Sequence, residues 1–144
     1  MEAQDAEGNW KWQPSIEVFD YRSYNLFGWL GDVRNYSVTP PLASERGVPD
    51  DATDEVRDAL ERWDCDAHSE SWVGVDELLA FDYEASFEDR RVTVGTNGGR
   101  TAEPGDGTMT TYREFLGTDY FSDLDKLTIL ATHGPTRVVF WFDN

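Results

Sequence analysis

The sequence predicts an α+β fold, organised as a single domain with a small, mostly antiparallel sheet packed with three to five short helices. Helical and strand-like segments alternate along the 144 residues without regular βαβ units. The length is usual for one domain, and the chain ends in "TRVVFWFDN", a run typical of a buried strand. We therefore predict one domain over residues 1–144.

The first half of the chain predicts two helices. Residues 8–19 contain a Gly-Asn turn and weak apolar alternation, which indicate one or two short strands. Over 23–33 the apolar residues are too dense for a one-faced surface helix, so we predict a short, nearly buried helix one. The prolines of "TPPLASERGVPDD" predict an irregular stretch. Helix two follows, and its apolar face carries Val56, Ala59, Leu60 and Trp63.

The second half predicts a loop, a strand and further helices. "DCDAHSES" predicts a loop before a short helix over 75–81, and residues 86–95 predict a strand. Residues 95–108 predict a mobile glycine-rich loop, which lacks the Gly-Lys-Ser/Thr ending of a phosphate-binding loop. "TYREFL" and "FSDLDKLTILATHG" predict helices, the latter closed by Gly134 with Pro135 beyond it.

The charge is extreme and acidic. Asp and Glu number 29 against 12 Lys and Arg, a net charge of −17, whereas a magnitude of about 2–8 suits a small domain. The acids run along the whole sequence, and their repulsion is screened in molar salt. A halophilic protein is the simplest interpretation, and an acidic surface that repels or mimics nucleic acid is the alternative. Neither favours direct binding of nucleic acid.

Nothing in the sequence indicates a membrane or secretion. No apolar run is long enough to span a bilayer, and the first residues, "MEAQDAEGNW", lack a basic start and an apolar stretch. The single cysteine excludes an internal disulfide. We expect an intracellular protein, in whatever cell makes it, without a membrane partner.

The loop "DAHSESW", residues 66–72, contains the first candidate site. Cys65 and His68, with Asp64 or Asp66, supply at most three zinc ligands and no second ligand pair, so we predict no metal site. Sequence neighbours rarely form a catalytic triad, because adjacent side chains diverge. A polar loop in which His68 and Ser69 cap the next element is the structural alternative.

The second candidate consists of polar residues around helix one. Arginine is suited to bidentate capture of carboxylate or phosphate. In so acidic a chain, these arginines either pair internally with Asp and Glu or help to form a pocket for an anion between helix one and the 66–72 loop. In the second case His68 acts as a catalytic acid or base. The ligand-binding residues are then Arg22, Asn25, Arg34, Asn35, Asp66 and Ser69.

Four separated segments resemble a family of small uncharacterised proteins of tailed phages and prophages. They are "RSYNLFGWLGDVRN", "RGVPDD", "DAHSESWVGVDELLAFD" and "RVVFWFDN". The resemblance covers most of residues 21–82 and the last eight, and it implies a viral origin without implying an activity. Members commonly open with Met-Gly-Cys-Asp-Ile-His, which is absent here, so we expect either a start upstream of Met1 or a lost segment. If the Cys, Asp and His of that opening belong beside His68 in a metal site, this chain carries only part of that site.

Two functions of different classes are therefore expected. The first is a virus-encoded protein that binds, and in one version hydrolyses, a small anionic ligand such as a nucleotide or phosphorylated metabolite, with Arg34 holding charge. The alternative is a non-enzymatic virion component or a factor that binds a host protein. The sequence does not identify a cofactor.

Overall fold

The computed structural model describes residues 1–94 and 98–143, and this part of the chain has an α+β fold, as predicted. The strands of this part are β1 (Glu2–Gln4), β2 (Trp10–Trp12), β3 (His68–Gly74), β4 (Ser86–Asp89), β5 (Arg91–Val94), β6 (Gly98–Thr101), β7 (Thr108–Thr111) and β8 (Thr136–Phe142). The helices are α1 (Tyr24–Gly31), α2 (Asp54–Trp63), α3 (Val75–Ala80) and α4 (Tyr112–Ala131), with a 3-10 helix at Asp64–Asp66. All strand pairs are antiparallel.

The chain divides into two compact units. Unit 1 contains Met1–Asp20, Glu45–Phe81 and Asp119–Asn144, and unit 2 contains Tyr21–Ser44 and Asp82–Thr118. The prediction of one domain over 1–144 stays a prediction.

Unit 1 is built on a four-stranded sheet with the order β2-β1-β8-β3. The C-terminal run "TRVVFWF" forms β8, which pairs with β1 on one side and β3 on the other. Val138 lies opposite Val73, and both are buried. The apolar side of the unit is completed by Val56 of α2 and by residues of α3 and α4, including Leu78, Tyr120 and Leu127. The apolar run at the C-terminus is therefore a central strand of the sheet, with β1 on one side and β3 on the other.

Helix α3 begins directly where β3 ends. Glu77, in its first turn, accepts a hydrogen bond from the backbone N–H of Gly74 at 2.9 Å. This bond satisfies one of the donors that a helix N-terminus leaves without an internal partner. The strand and helix therefore meet without a connecting loop, which fixes where Trp72 and Glu77 lie.

Unit 2 combines α1 with two antiparallel pairs, β4–β7 and β5–β6. Trp29 of α1 is fully buried and its ring lies 6.1 Å from Tyr83 and 6.4 Å from Tyr112, measured between centroids. The ring of Phe87, in β4, is tilted by 34° against that of Tyr112, with 4.7 Å between the ring centroids. Aromatic pairs at such distances contribute beyond their area burial, so the dense apolar run of helix one is explained by an aromatic core.

Helix α4 is interrupted once. Gly117 has φ 76° and ψ 176°, which is outside the helical region and divides the element into two helical stretches. The two helices predicted from "TYREFL" and "FSDLDKLTILATHG" correspond to these stretches. Residues 112–118 belong to unit 2 and residues 119–131 to unit 1.

Three predicted boundaries were wrong. Most of the 66–72 loop is strand β3, because it pairs with β8 over four consecutive residues despite a register shift after His68. Inside the predicted 95–108 loop, Gly98–Thr101 is strand β6, paired with β5; residues 95–97 lie outside the described part. The strand predicted over 86–95 is two strands, β4 and β5, which pair with different partners. Strands β3 and β4 are determined by partners that are remote in sequence, β8 and β7, whereas β5 and β6 are neighbours along the chain that pair with each other.

Candidate functional site

Three arginines of unit 2 surround one tyrosine. We call Arg22, Arg34 and Arg91, with Tyr24, the arginine cluster. Arg22 Nη2 donates a hydrogen bond to Tyr24 Oη at 2.8 Å, and Arg34 Nη1 donates to the same oxygen at 3.0 Å. The guanidinium carbons of Arg22, Arg34 and Arg91 lie 5.3, 5.4 and 5.1 Å from the centre of the Tyr24 ring, within the range of a cation–π contact.

The start of α1 places Tyr24 and Arg22. Ser23 caps the helix, with its side-chain oxygen accepting a hydrogen bond from the backbone N–H of Leu26 at 3.2 Å. A serine at this position satisfies a helix donor that otherwise lacks a partner. Tyr24 is therefore held at the first helical position, with Arg22 two residues before it.

A strained loop places Arg34. Asp32, Arg34 and Val38 all have positive φ, at 56°, 49° and 55°, a conformation that non-glycine residues adopt only when their surroundings enforce it. The side chain of Asn35 holds the loop in this conformation through hydrogen bonds. Its Nδ2 donates to Asp32 Oδ1 at 2.7 Å and to the carbonyl of Thr39 at 2.8 Å, and its Oδ1 accepts from the N–H of Thr39 at 3.0 Å.

The same asparagine packs closely on α1 at a glycine. A Cβ at Gly28 would lie 2.9 Å from Asn35 Oδ1 and 3.2 Å from its Cα, so only glycine lets the loop approach the helix this closely. With both amide hydrogens and the carbonyl engaged inside the loop, Asn35 positions Arg34. Its predicted contact with a ligand stays a prediction.

Arg91 comes from β5 and was missed by the sequence interpretation. Its Nη1 donates to Asn25 Oδ1 at 3.4 Å, and Asn25 Nδ2 donates in turn to the carbonyl of Phe115 at 2.8 Å. The Nε of Arg91 is buried and has no hydrogen-bond partner among the described residues. Buried polar groups without a partner are rare. Asn25, a predicted site residue, therefore anchors an arginine that the sequence did not single out.

Within the described residues, the cluster has no acidic partner. No carboxylate oxygen lies within 4.0 Å of a side-chain nitrogen of Arg22, Arg34 or Arg91. Arg46, Arg113 and Arg137 do form ion pairs in the same chain. Of the two alternatives left open by the sequence, internal pairing is thus not what the structure shows for Arg22 and Arg34.

The acidic residues run along the whole sequence but are divided unevenly between the two units. Unit 1 contains 21 acidic and six basic side chains, a net charge of −15, whereas unit 2 contains eight and six, a net charge of −2. The net charge of unit 2 by itself therefore repels an anion far less than the charge of the whole chain would.

The electrostatics of the cluster favour negative charge at the Tyr24 oxygen. The hydrogen bond from Arg22, followed by that from Arg34, lowers the pKa of the Tyr24 phenol below its ordinary value. A guanidinium pair that stabilises a phenolate also stabilises a phosphate or carboxylate oxygen.

The predicted histidine site lies in unit 1, at the start of β3. His68 is half-buried, its Nδ1 is 3.2 Å from Ser69 Oγ, and its ring centre is 6.2 Å from that of Phe142. Ser69 has φ 54° at the register shift of β3, a bulge that redirects side chains. Asp66 is exposed in the 3-10 helix. Because these residues and the arginines belong to different units, their joint pocket stays a prediction.

No group of three or more His, Cys, Asp or Glu side chains in residues 1–94 and 98–143 is arranged to hold a metal ion. In the same residues, no helix is both long and apolar enough to cross a membrane.

A second polar assembly in unit 1 was also missed. Arg137 lies 3.8 Å from the centre of the Trp10 ring and 5.9 Å from that of Trp72, and Arg46 lies 4.8 Å from Trp72. We call this alternating stack, Trp10–Arg137–Trp72–Arg46, the indole–guanidinium ladder. Arg46, Trp72 and Arg137 belong to the segments "RGVPDD", "DAHSESWVGVDELLAFD" and "RVVFWFDN", respectively. Their occurrence in these segments was the one sequence feature that indicated the assembly.

Carboxylates hold the ladder. Arg46 Nη2 and Nη1 donate to Glu77 Oε1 and Oε2 at 2.6 and 2.7 Å, a bidentate pair. Arg137 Nε donates to Glu2 Oε2 and its Nη1 to Asp51 Oδ1, both at 2.7 Å. The hydrogen bond from Arg46 lowers the pKa of Glu77, and that from Arg137 lowers the pKa of Asp51. These arginines are neutralised and differ in this respect from the arginine cluster.

Comparison of the chain with protein-family models, with curated proteins and with solved structures found no match in any of the three. The resemblance to the phage and prophage family therefore stays a prediction.

Proposed function

We propose that the protein binds a small anionic ligand, such as a nucleotide or a phosphorylated metabolite, at the arginine cluster of unit 2. The observation that carries the proposal is the convergence of three guanidinium groups on Tyr24 without a carboxylate partner in the described residues. In a chain with 29 acidic and 12 basic residues, such an arrangement is unexpected unless an anion supplies the missing charge.

The donors of the cluster suit a phosphate or carboxylate group. Arg22 and Arg34 are exposed, and each directs one described hydrogen bond to Tyr24 Oη. A guanidinium has five N–H donors in a planar fork, so most donors of both residues remain for a ligand. Two forks that share one oxygen already lie close enough for a single anionic group to contact both.

The positions of the two forks are fixed before a ligand arrives. Tyr24 and the Ser23 cap hold one side, and Asn35 and Gly28 hold the loop that carries Arg34. A preorganised site loses less conformational entropy when a ligand binds. This favours specific recognition of an anion over nonspecific attraction.

The proposal is tested by calorimetric titration with inorganic phosphate, pyrophosphate, adenosine triphosphate and a sugar phosphate. We expect saturable binding of at least one of them. Because a hydrogen bond to a charged group contributes about 1.5–3 kcal/mol, Arg22→Gln and Arg34→Gln should each weaken binding about tenfold or more. Arg113→Gln is the matched control, since Arg113 is an exposed arginine of unit 2 that is paired with Glu84.

Two results would contradict the proposal. One is no saturable binding of any of these anions, and the other is an equal loss for Arg113→Gln and the two cluster variants. The first result would favour the alternative prediction, a non-enzymatic virion component or a factor that binds a host protein.

We further propose that the protein is of viral origin and that it hydrolyses the bound ligand. His68 is the proposed acid or base, in a protein of a host cytoplasm or a virion. If His68 acts in turnover, His68→Ala abolishes release of inorganic phosphate from a bound phosphoester while leaving calorimetric binding unchanged. If the wild-type protein releases no phosphate, the function is binding alone.

A further inference from the structure

A groove in unit 1 runs beside the two tryptophans of the indole–guanidinium ladder. Its volume is about 760 Å³, within the range of about 300–1,000 Å³ that is typical of small-ligand pockets. The walls are mainly apolar, and Leu79 is 48% exposed on one of them. The apolar side chains that line the groove are Trp10, Trp72, Val75, Leu79, Ala131 and Pro135.

The net charge of the residues that line the groove, together with the ion pairs of Arg137 and Arg46, is negative. Asp76 lines the groove directly, as does Arg137. Arg137 is already paired with Glu2 and Asp51, and Arg46 is paired with Glu77. Three carboxylates therefore pair with these two guanidiniums, and Asp76 adds a fourth negative charge in the wall of the groove. The unit as a whole has a net charge of −15. This environment repels anions and concentrates cations.

The tryptophan rings of the groove already bind cations within the chain. Arg137 lies over Trp10 at 3.8 Å and Arg46 over Trp72 at 4.8 Å. Each indole face is attractive to positive charge because of the ring quadrupole. Trp10 and Trp72 line the groove together with one acidic side chain, Asp76, and with apolar residues such as Leu79 and Pro135. Aromatic, acidic and apolar groups that line one groove are the combination that recognises an organic cation with apolar substituents.

We propose that this groove binds a small organic cation of the quaternary-ammonium type, with its charge near Asp76 and the two indoles and its apolar substituents against Leu79 and Pro135. The proposal concerns unit 1 and does not depend on anion binding at the arginine cluster. A ligand of this class combines cation–π attraction with burial of methyl groups.

The test uses choline and its tert-butyl analogue, in which carbon replaces the ammonium nitrogen. The two probes share shape and apolar area and differ in charge. Binding is followed in proton–nitrogen correlation spectra by the indole N–H signals of Trp10 and Trp72, assigned with Trp→Phe variants. The N–H of Trp10 is a defined reporter, since it donates to Asp51 Oδ2 at 2.8 Å. The exposed Trp63 does not line the groove and serves as the internal reference.

We expect saturable shifts of Trp10 and Trp72 with choline and at least about tenfold weaker binding of the neutral analogue. Asp76→Asn should weaken choline binding about fivefold, because it removes the nearest unpaired charge while keeping the shape. Asp58→Asn, at an acid of unit 1 that is also exposed and lies on α2, should have little effect.

Three results would overturn the proposal. Equal affinity for the two probes would show that the groove selects apolar shape alone. A shift of Trp63 with the same midpoint, or an Asp58→Asn effect as large as that of Asp76→Asn, would show general attraction of cations to the acidic surface.

Discussion

At the scale of single residues, unit 1 depends on a charge pair that is almost completely buried. Glu2 is 0% exposed and Arg137 4% exposed. Glu2 also accepts a hydrogen bond from the N–H of Thr53 at 2.6 Å, at the residue before α2 begins. One carboxylate thus connects β1, β8 and the start of α2. Buried pairs of this kind contribute to stability mainly because losing one partner leaves the other charge uncompensated.

We therefore expect Arg137→Met to lower the free energy of unfolding by about 3–5 kcal/mol, since it leaves Glu2 buried and charged. Urea denaturation monitored by tryptophan fluorescence measures the change. Arg62→Met, an exposed arginine on α2, should change stability by less than about 0.5 kcal/mol. The double variant Glu2→Leu/Arg137→Met should recover part of the loss. A double variant as unstable as the sum of both single variants would contradict the uncompensated-charge explanation.

The Arg46–Glu77 pair predicts a pH-dependent contribution. The hydrogen bond from Arg46 lowers the pKa of Glu77 in the folded protein. A group with a lowered folded pKa stabilises the fold above its unfolded value, and this stabilisation disappears as the pH falls through the folded value. At neutral pH, Arg46→Met should cost about 1 kcal/mol, because the pair is only partly buried.

The stability difference between wild type and Arg46→Met should then shrink steadily as urea titrations are repeated at more acidic pH. In a Glu77→Gln background, Arg46→Met should no longer cause a pH-dependent loss of stability, because residue 77 then carries no charge that titrates. A difference that stays constant down to strongly acidic pH would mean that Arg46 acts through its stacking on Trp72 and not through charge.

At the scale of elements, α4 illustrates how one residue changes an otherwise continuous helix. Gly117, with φ 76° and ψ 176°, occupies a region of backbone conformation that is essentially restricted to glycine. No atom outside its immediate neighbours lies within 4 Å of a Cβ placed there. The restriction is therefore conformational and not steric.

Gly117→Ala should lower the free energy of unfolding by about 1–3 kcal/mol, although the same change inside a regular helix would raise it by about 1 kcal/mol. The sign of the effect distinguishes the two conformations. Thr118→Ala, at the exposed neighbouring residue, should lie within about 0.5 kcal/mol of wild type. A stabilised Gly117→Ala variant would show that the helix continues through this position.

At the scale of the whole molecule, the charge is partitioned between the units. The excess of acid is −15 in unit 1 and −2 in unit 2. Repulsion between like charges opposes folding, and salt reduces it as the Debye length shortens from about 10 Å at 0.1 M to about 3 Å at 1 M. The predicted adaptation to high salt should therefore depend mainly on the acidic residues of unit 1.

The melting temperature should rise with sodium chloride, and most of the rise should depend on acids of unit 1. Asp58→Asn/Glu61→Gln, on the exposed face of α2, should raise the melting temperature at low salt and reduce its salt dependence. The matched pair Glu103→Gln/Asp106→Asn, also exposed but in unit 2, should do so much less. Equal effects of the two pairs would show that the partition of charge does not control stability.

Local pattern was sufficient for the helices of this fold. Helix two was predicted from the spacing of Val56, Ala59, Leu60 and Trp63, and α2 ends at Trp63. The α+β class was also predicted from local pattern, because the periods of apolar residues in helices and strands are visible within short stretches of the sequence. Strands β1 and β3 were missed or mistaken for a loop, because their hydrogen bonds go to β8, a partner that is remote in the sequence. Strand β6 was mistaken for a loop because of its glycines, although its partner β5 ends only a few residues before it.

The sequence by itself determined the types of residue available for chemistry: arginines and asparagines around helix one, a histidine before a tryptophan, and a large excess of acid. Only the tertiary structure decided which arginines are neutralised. Arg46 and Arg137 meet carboxylates, whereas Arg22, Arg34 and Arg91 meet a tyrosine. The physical reason is that an ion pair acts over a few ångströms, and such distances between remote segments are set by strand pairing and packing.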